Sequence, residues 1–204
     1  MRGLPAPTRP GVASFVILAG VVLAGGASRR MGRPKAFIEL AGHPMVANVA
    51  GALSEAGAER VVVVGGDRHR IEALGLHAEP DQFPGEGPLG GIISALRVCG
   101  DADAVAVLSC DLLAPSSAEV RRLAAELSGH DVVVPVVDDR AQWTHTIWSS
   151  RAVHTLEAAF AAGERAPRRA VGDLSVRRVV VGGERATVYA DADTPDDLPD
   201  EASP

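Results

Sequence analysis

The chain has 204 residues, of which 47% are hydrophobic, 23% charged and 3% aromatic; this suits one sizeable core, excludes a disordered chain and disfavours recognition by rows of stacked aromatics. A net charge of -6 argues against a general nucleic-acid or acidic-membrane surface. Two cysteines, Cys99 and Cys110, provide neither a disulfide framework nor a metal-ligand spacing, and fit a reducing, cytoplasmic compartment.

Residues 1–13 carry three prolines and read as a flexible tail, as do 199–204, leaving 14–198 as a single domain. Residues 11–28 are uncharged and follow Arg2 and Arg9, a pattern shared with a secretory signal or a short membrane span. Gly20, Gly25 and Gly26 punctuate the run, however, and Arg29, Arg30, Arg33 and Lys35 follow at once. A strand over 21–24, buried on both faces of a parallel sheet, accounts for the same letters. A helix over 44–56 follows, with Met45, Val49 and Leu53 on one face, and then a strand over 61–64. The alternation continues with a helix over 89–98, a strand over 104–108, a helix over 116–127 and a strand over 132–137. Ser116 and Glu119 have capping-box spacing, which fixes the start of that helix and the loop 109–115 before it. A helix over 151–162, with Val153, Leu156 and Phe160 inward, precedes strands over 176–181 and 186–189. The expected fold is α/β: one domain with a mainly parallel central sheet and helices on both faces.

Ligands of such sheets bind beyond the carboxyl ends of the strands, where residues 23–35, residues 81–91, Asp111 and residues 191–193 converge. In the first segment, Gly25, Gly26 and Gly32 let backbone N–H groups approach an anion, and four nearby cations can neutralise phosphate charge. The spacing is neither GxxxxGK[ST] nor GxGxxG, so neither a P-loop nor a dinucleotide-binding fingerprint is supported. Of the 20 cations only Lys35 is lysine, a compact point charge where every other position uses the planar arginine fork. Asp111 follows an apolar strand directly, where its carboxylate suits Mg²⁺ held beside a triphosphate. Thr194 reads as a helix cap with Pro195 behind it, and Asp196 and Asp197 complement the helix end. Asp191 and Asp193 precede the cap and lack that explanation. Cys110 has no paired base and reads as a small buried residue. His145 reads equally well as a substrate contact and as a buried structural histidine.

The stretch Leu23-Ala24-Gly25-Gly26-Ala27-Ser28-Arg29-Arg30-Met31-Gly32-Arg33-Pro34-Lys35 resembles the LAGGxSxRMGxxK signature of the nucleotidyltransferases that include the molybdenum cofactor guanylyltransferases of the MobA type. Similar segments recur from about residue 18 to Leu198. The resemblance implies a Rossmann-like fold. It also implies a preference for GTP, because LAGG with a later GPLxG, here Gly87-Pro88-Leu89-Gly90, accompanies guanine selection, whereas related cytidylyltransferases carry TAAG-like or LGTS-like sequences. It places Leu23, Ala24, Gly25, Gly26, Gly32, Lys35, Asp81, Gly87, Gly90 and Asp111 on the nucleotide. It assigns Mg²⁺ to Asp111 and brings Asp191 and Asp193, in a segment similar to N-x-N/D-T-P-E-D-L, near the metal or the acceptor phosphate. Arg30, Lys35 and Asp111 become the expected catalytic groups, GTP and a molybdopterin-type phosphorylated acceptor the expected substrates, and a pterin-delivering protein a partner to be sought.

Three departures bear on the acceptor: Asp191 and Asp193 stand where the family often has asparagine, adding negative charge that would strengthen metal binding but repel a phosphorylated acceptor. Arg30-Met31-Gly32-Arg33-Pro34-Lys35 is shorter than RMGxxDK and lacks its aspartate, and residues 142–148, QWTHTIW, replace the proline-leucine segment usual in the acceptor pocket. A cytidylyltransferase, a sugar- or alcohol-phosphate nucleotidyltransferase and an inactive nucleotide-binding regulator remain the competing readings.

Overall fold

The computed structural model describes residues 16–26 and 33–198. The chain begins with β1 (Leu18–Leu23), then a tight hairpin of β2 (Glu39–Leu40) and β3 (His43–Pro44), and α1 (Met45–Glu55). Next come β4 (Arg60–Val64), α2 (Arg68–Ala73), β5 (His77–Glu79), α3 (Pro88–Val98), β6 (Ala104–Ser109) and α4 (Ser117–Ala125). The last part holds β7 (Val132–Val137), β8 (Arg140–Ala141), β9 (His145–Ser149), α5 (Val153–Ala161), α6 (Pro167–Ala170) and β10 (Val176–Val180).

The main sheet has the order β10-β7-β9-β6-β1-β4-β5, with β8 paired to β7. Every residue of β1 is buried, and its side chains divide between two cores: Leu18 and Val22 join the residues of α1 and α4 on one face, while Ala19, Val21 and Leu23 join those of α3 and α5 on the other. That is why the run is continuously apolar: a central parallel strand meets no water on either side. Among the described residues, no helix is long and apolar enough to cross a membrane.

β1 pairs in parallel with β4 and β6, β4 with β5, and β7 with β10. The expected mainly parallel sheet is therefore present, with one reversal: β9 runs antiparallel between β6 and β7. Its polar residues His145 and Thr146 are fully buried, and the indole of fully buried Trp148 donates to the Thr146 hydroxyl at 2.6 Å. That pairing satisfies two polar groups which would otherwise cost burial energy.

The strand expected over 186–189 is a correction: Gly183–Tyr189 forms a 3-10 helix. The β-branched and aromatic letters Thr-Val-Tyr favour extended backbone only where a pleated partner surface exists. Here the segment instead turns Tyr189 inward, and its hydroxyl donates to Glu119 at 2.9 Å. Only half of the expected capping box forms, since Ser116 accepts from the Glu119 N–H at 3.3 Å while the Glu119 carboxylate is taken by Tyr189, Arg185 and Arg122. The helix expected from Thr194 is one short 3-10 turn, Pro195–Asp197, whose Asp197 carboxylate accepts from the Thr194 and Asp193 N–H groups at 2.6 and 2.9 Å.

Candidate active site

β1 is the point where the sheet reverses its order of growth, with β4 and β5 on one side and β6 on the other. Ligand crevices form at such switch points. Backbone hydrogen bonds extend the ladders just past the strand ends, from Ala24 N to Val64 O at 2.9 Å and from Cys110 N to Leu23 O at 3.0 Å. The loops leaving β1, β4 and β6 are thereby held level with one another.

Two adjoining cavities open there, sharing Gly25, Gly26 and Ser109 in their walls. The larger, about 750 Å³, includes Ala24, Lys35, Asp111 and Asp193. The smaller, about 440 Å³, includes Leu23, Asp81, Gly87 and Gly91. Most of the expected site residues are thus brought together. Arg30 and Gly32 lie outside the described residues. Gly90 lines neither cavity; a Cβ built on it would stand 2.7 Å from Phe83 Cβ, so this glycine serves the close seating of the 81–87 loop on α3. Gly87, at φ +86°, caps α3 in a conformation that L side chains rarely adopt.

The centre of the larger cavity is an ammonium between two carboxylates. Lys35 Nζ donates to Asp111 Oδ2 at 2.8 Å and to Asp193 Oδ1 at 2.9 Å. The Lys35 and Asp111 side chains are each only 15% exposed, against 66% for Asp193, so the first pair is the less screened of the two. Burial pulls the Lys35 pKa down, but the hydrogen bonds to Asp111 and Asp193 outweigh it and leave the ammonium above its ordinary value. The Ser109 hydroxyl donates to the other Asp111 oxygen. Asp111 is therefore oriented through both of its oxygens.

The C-terminal segment is stitched onto this loop by its backbone: Ala192 N donates to Asp111 O and Leu113 N to Ala190 O, both at 2.9 Å. The bridge between Leu112 and Asp191 completes a short antiparallel contact. Asp193 thereby reaches Lys35, while Asp191 lines neither cavity and lies against His145. Burial, with the charges of Asp111 and Asp193, pushes the Asp191 carboxyl up to about 7. Its Oδ1 lies 3.3 Å from Nε2 of fully buried His145, yet among the described residues neither that oxygen nor either ring nitrogen finds a hydrogen-bond partner. Burial pulls the His145 imidazole down to about 4, making it a neutral buried neighbour of Asp191. Cys110 is buried and its thiol is pushed up to about 12, which leaves no thiolate for chemistry near neutrality.

Gly66 and Asp67 also line the larger cavity, and Thr144 the smaller one. The first two stand second and third after β4, as Gly25 and Gly26 do after β1, so the glycine pair Gly65-Gly66 after an apolar strand was their sequence signal. Thr144 carries no motif. Among the described residues, no three His, Cys, Asp or Glu side chains are grouped so as to hold a metal. Asp111 and its neighbours instead present the one or two carboxylates that suffice when phosphate oxygens and water complete a Mg²⁺ shell.

Comparisons with known proteins agree with this geometry. The family described as MobA-like NTP transferase domain matches residues 20–181. A molybdenum cofactor guanylyltransferase of Rhodobacter capsulatus is 36% identical over 187 residues, covering 89% of this chain and 93% of its own. A probable molybdenum cofactor guanylyltransferase of Pelotomaculum thermopropionicum is 38% identical over 144 residues, covering 70% and 69%. The crystal structure of molybdopterin-guanine dinucleotide biosynthesis protein A from Archaeoglobus fulgidus superposes with a TM-score of 0.74 at 25% identity, covering 90% of this chain and 96% of that one. With a switch-point crevice, a glycine loop after β1 and a family match over most of its length, the chain belongs to the MobA-like nucleotidyltransferases.

Proposed function

We propose that this chain transfers GMP from GTP to the terminal phosphate of a molybdopterin-type acceptor and releases pyrophosphate. The observation that carries this reading is the 2.8 Å contact between Lys35 and Asp111 in the wall of one cavity. It supports the reading because one ligand lying in that cavity would meet both the cation suited to a phosphate tail and the carboxylate suited to its divalent counter-ion.

An acceptor phosphate oxygen attacks the α-phosphorus in line, and the bond from that phosphorus to the β-bridging oxygen breaks with its electron pair leaving on pyrophosphate. The nucleophile is already ionised near neutral pH, so the site needs no general base. Glycine backbone N–H groups at Gly25 and Gly26 hold the phosphates, and Lys35, with Arg30, neutralises charge gathering on the departing pyrophosphate. Asp111 would hold Mg²⁺, with Asp193 or Asp191 as a second carboxylate, and the ion supplies Lewis-acid polarisation of the α-phosphate. The buried Asp191 oxygen, which has no hydrogen-bond partner among the described residues, and the carboxylate pair around Lys35 fit such a cation. Leu23, Val64 and Pro88 give the smaller cavity apolar walls suited to a base.

The test is to incubate the purified chain with Mg²⁺, molybdopterin and GTP, CTP, UTP or ATP in turn, and to weigh the product. A guanine dinucleotide formed from GTP in preference to the others is expected. A cytosine dinucleotide, or nucleotide binding without pyrophosphate release, contradicts the reading.

A further inference from the structure

Ser94 sits in the middle of α3 with no exposed surface, in a helix otherwise composed of apolar residues, glycines and Arg97. A buried hydroxyl must find partners, and those of Ser94 lie in the loop at the smaller cavity. Its oxygen is 2.9 Å from Asp81 Oδ1 and 3.0 Å from Gly90 O, and it accepts the Gln82 N–H at 3.0 Å. A serine has one proton to give, and a carboxylate is the stronger acceptor of the two. The hydroxyl therefore donates to Asp81 Oδ1, which also accepts the Phe83 N–H at 3.0 Å.

The two Asp81 oxygens are consequently unlike. Oδ1 is engaged by two donors of its own chain. Oδ2 accepts no hydrogen bond among the described residues and lies 3.4 Å from where a Cβ on Gly25 would stand. Asp81 and Gly25 both line the smaller cavity. Ser94 thus fixes the rotation of a carboxylate that keeps one oxygen for a ligand, and Phe83 backs the loop through its 4.6 Å ring contact with Phe160.

We infer that Ser94 is a positioning residue for base selection: it holds Asp81 so that Oδ2 accepts from the N1–H and 2-amino groups of guanine. This rests on the guanylyl reading above. An anionic acceptor discriminates by what faces it. Guanine offers two adjacent donors on that edge, inosine keeps the N1–H and lacks the amino group, and adenine presents a bare N1 lone pair that repels the carboxylate. Without the Ser94 hydroxyl, Asp81 Oδ1 loses one of its two anchors, the carboxylate rotates more freely, and the discrimination weakens while the phosphate end of the site is untouched.

The experiment measures KM and kcat with GTP and with inosine triphosphate, and dissociation constants for GTP, CTP, ATP and inorganic tripolyphosphate, in the full chain with Mg²⁺. The proteins compared are the wild type, Ser94→Ala, Asp81→Asn and the double variant, each checked for folding by circular dichroism. Ser94→Ala is expected to raise KM for GTP by about tenfold, the equivalent of one good hydrogen bond, while kcat and tripolyphosphate affinity stay within about twofold of wild type and the preference for GTP over inosine triphosphate and ATP shrinks. Asp81→Asn is expected to lose the same preference, and Ser94→Ala should add almost nothing in its background, because Ser94 acts through Asp81. A folded Ser94→Ala that keeps wild-type base preference overturns the inference, and so does a full multiplicative loss in the double variant. Should Ser94→Ala fail to fold, an Asp81→Asn chain that retains its guanine preference overturns it equally. A wild type that binds GTP no better than CTP overturns the guanylyl reading itself, and this inference with it.

Discussion

Lys35 and Asp111 stand 76 residues apart in sequence and 2.8 Å apart in space. One comes from the glycine loop after β1 and the other from the end of β6, so the contact registers two strand ends of the switch point against each other. The ammonium binds Asp193 as well, and it does so as a point charge whose three donors can be shared among oxygens in different directions. A planar guanidinium at this position cannot face both carboxylates and a phosphate tail in the same manner. Lys35→Arg is therefore expected to slow GMP transfer by about tenfold or more without lowering the melting temperature appreciably. Turnover assays beside thermal melts check this, and full activity in the arginine variant removes the point-charge argument.

Asp191 and His145 impose opposite pH slopes on stability. The folded chain holds the Asp191 proton up to about pH 7, against an ordinary value of 3.8, and refuses a proton on His145 down to about pH 4, against 6.5. As pH rises from about 4 to 7, the unfolded chain releases the aspartate proton first, so the Asp191 contribution falls. As pH drops from about 6.5 to 4, the unfolded chain gains the histidine proton first, so the His145 contribution also falls. Over the shared window the two nearly cancel. Asp191→Asn is expected to unmask the histidine slope, losing stability below about pH 6.5, and to exceed wild type at about pH 8 by on the order of 2 kcal/mol after allowance for solvent screening. His145→Gln is expected to show the reverse slope. Urea titrations across this range read both; parallel profiles in all three proteins contradict the account.

The clamp on the C-terminal segment is also testable. Burial raises the Glu119 pKa, but hydrogen bonds from Arg185, Tyr189 and Arg122 outweigh it and hold the carboxyl below its usual range. This anchors the 3-10 helix that delivers Asp191 and Asp193. Tyr189→Phe removes one hydrogen bond to a charged acceptor and is expected to cost about 1.5 kcal/mol, or roughly 3–6 °C in melting temperature for a chain of this size. Calorimetry provides the measurement, and an unchanged melting temperature contradicts the role given to the clamp.

Gly90→Ala pushes a methyl group to within 2.7 Å of Phe83 Cβ. The 81–87 loop must then move, at an expected cost of about 1–3 kcal/mol in stability, together with weaker nucleotide binding. Isothermal titration with GTP checks the second effect. Normal affinity in a destabilised protein confines Gly90 to packing alone.

The strands buried on both faces were legible because nothing polar interrupts them: Leu18–Leu23 and Ala104–Ser109 announce a parallel sheet by composition. β9 was not, because His145 and Thr146 look like pocket residues until Leu108 and Val107 are seen to pair with them. β5 is three residues long, and α2 buries only Ile71, so neither shows a usable period. At the site, Lys35 and Asp111 were visible through residue type and position after a strand. The 158-residue reach from Lys35 to Asp193 depends on backbone pairing between 190–192 and 111–113, which no spacing rule encodes. Ser94 was hidden for the opposite reason, as one small polar letter in an apolar helix.

The most direct measurement is the rate of GMP transfer to molybdopterin, followed by product mass, in wild type, Lys35→Ala and Asp111→Asn, with folding checked in each. Removing a preorganised charge at a reacting phosphate should lower turnover by about 10²–10³ in each variant. Near-wild-type transfer by either folded variant contradicts the role assigned to that residue, and by both it contradicts the assignment of this cavity to the phosphate end of GTP.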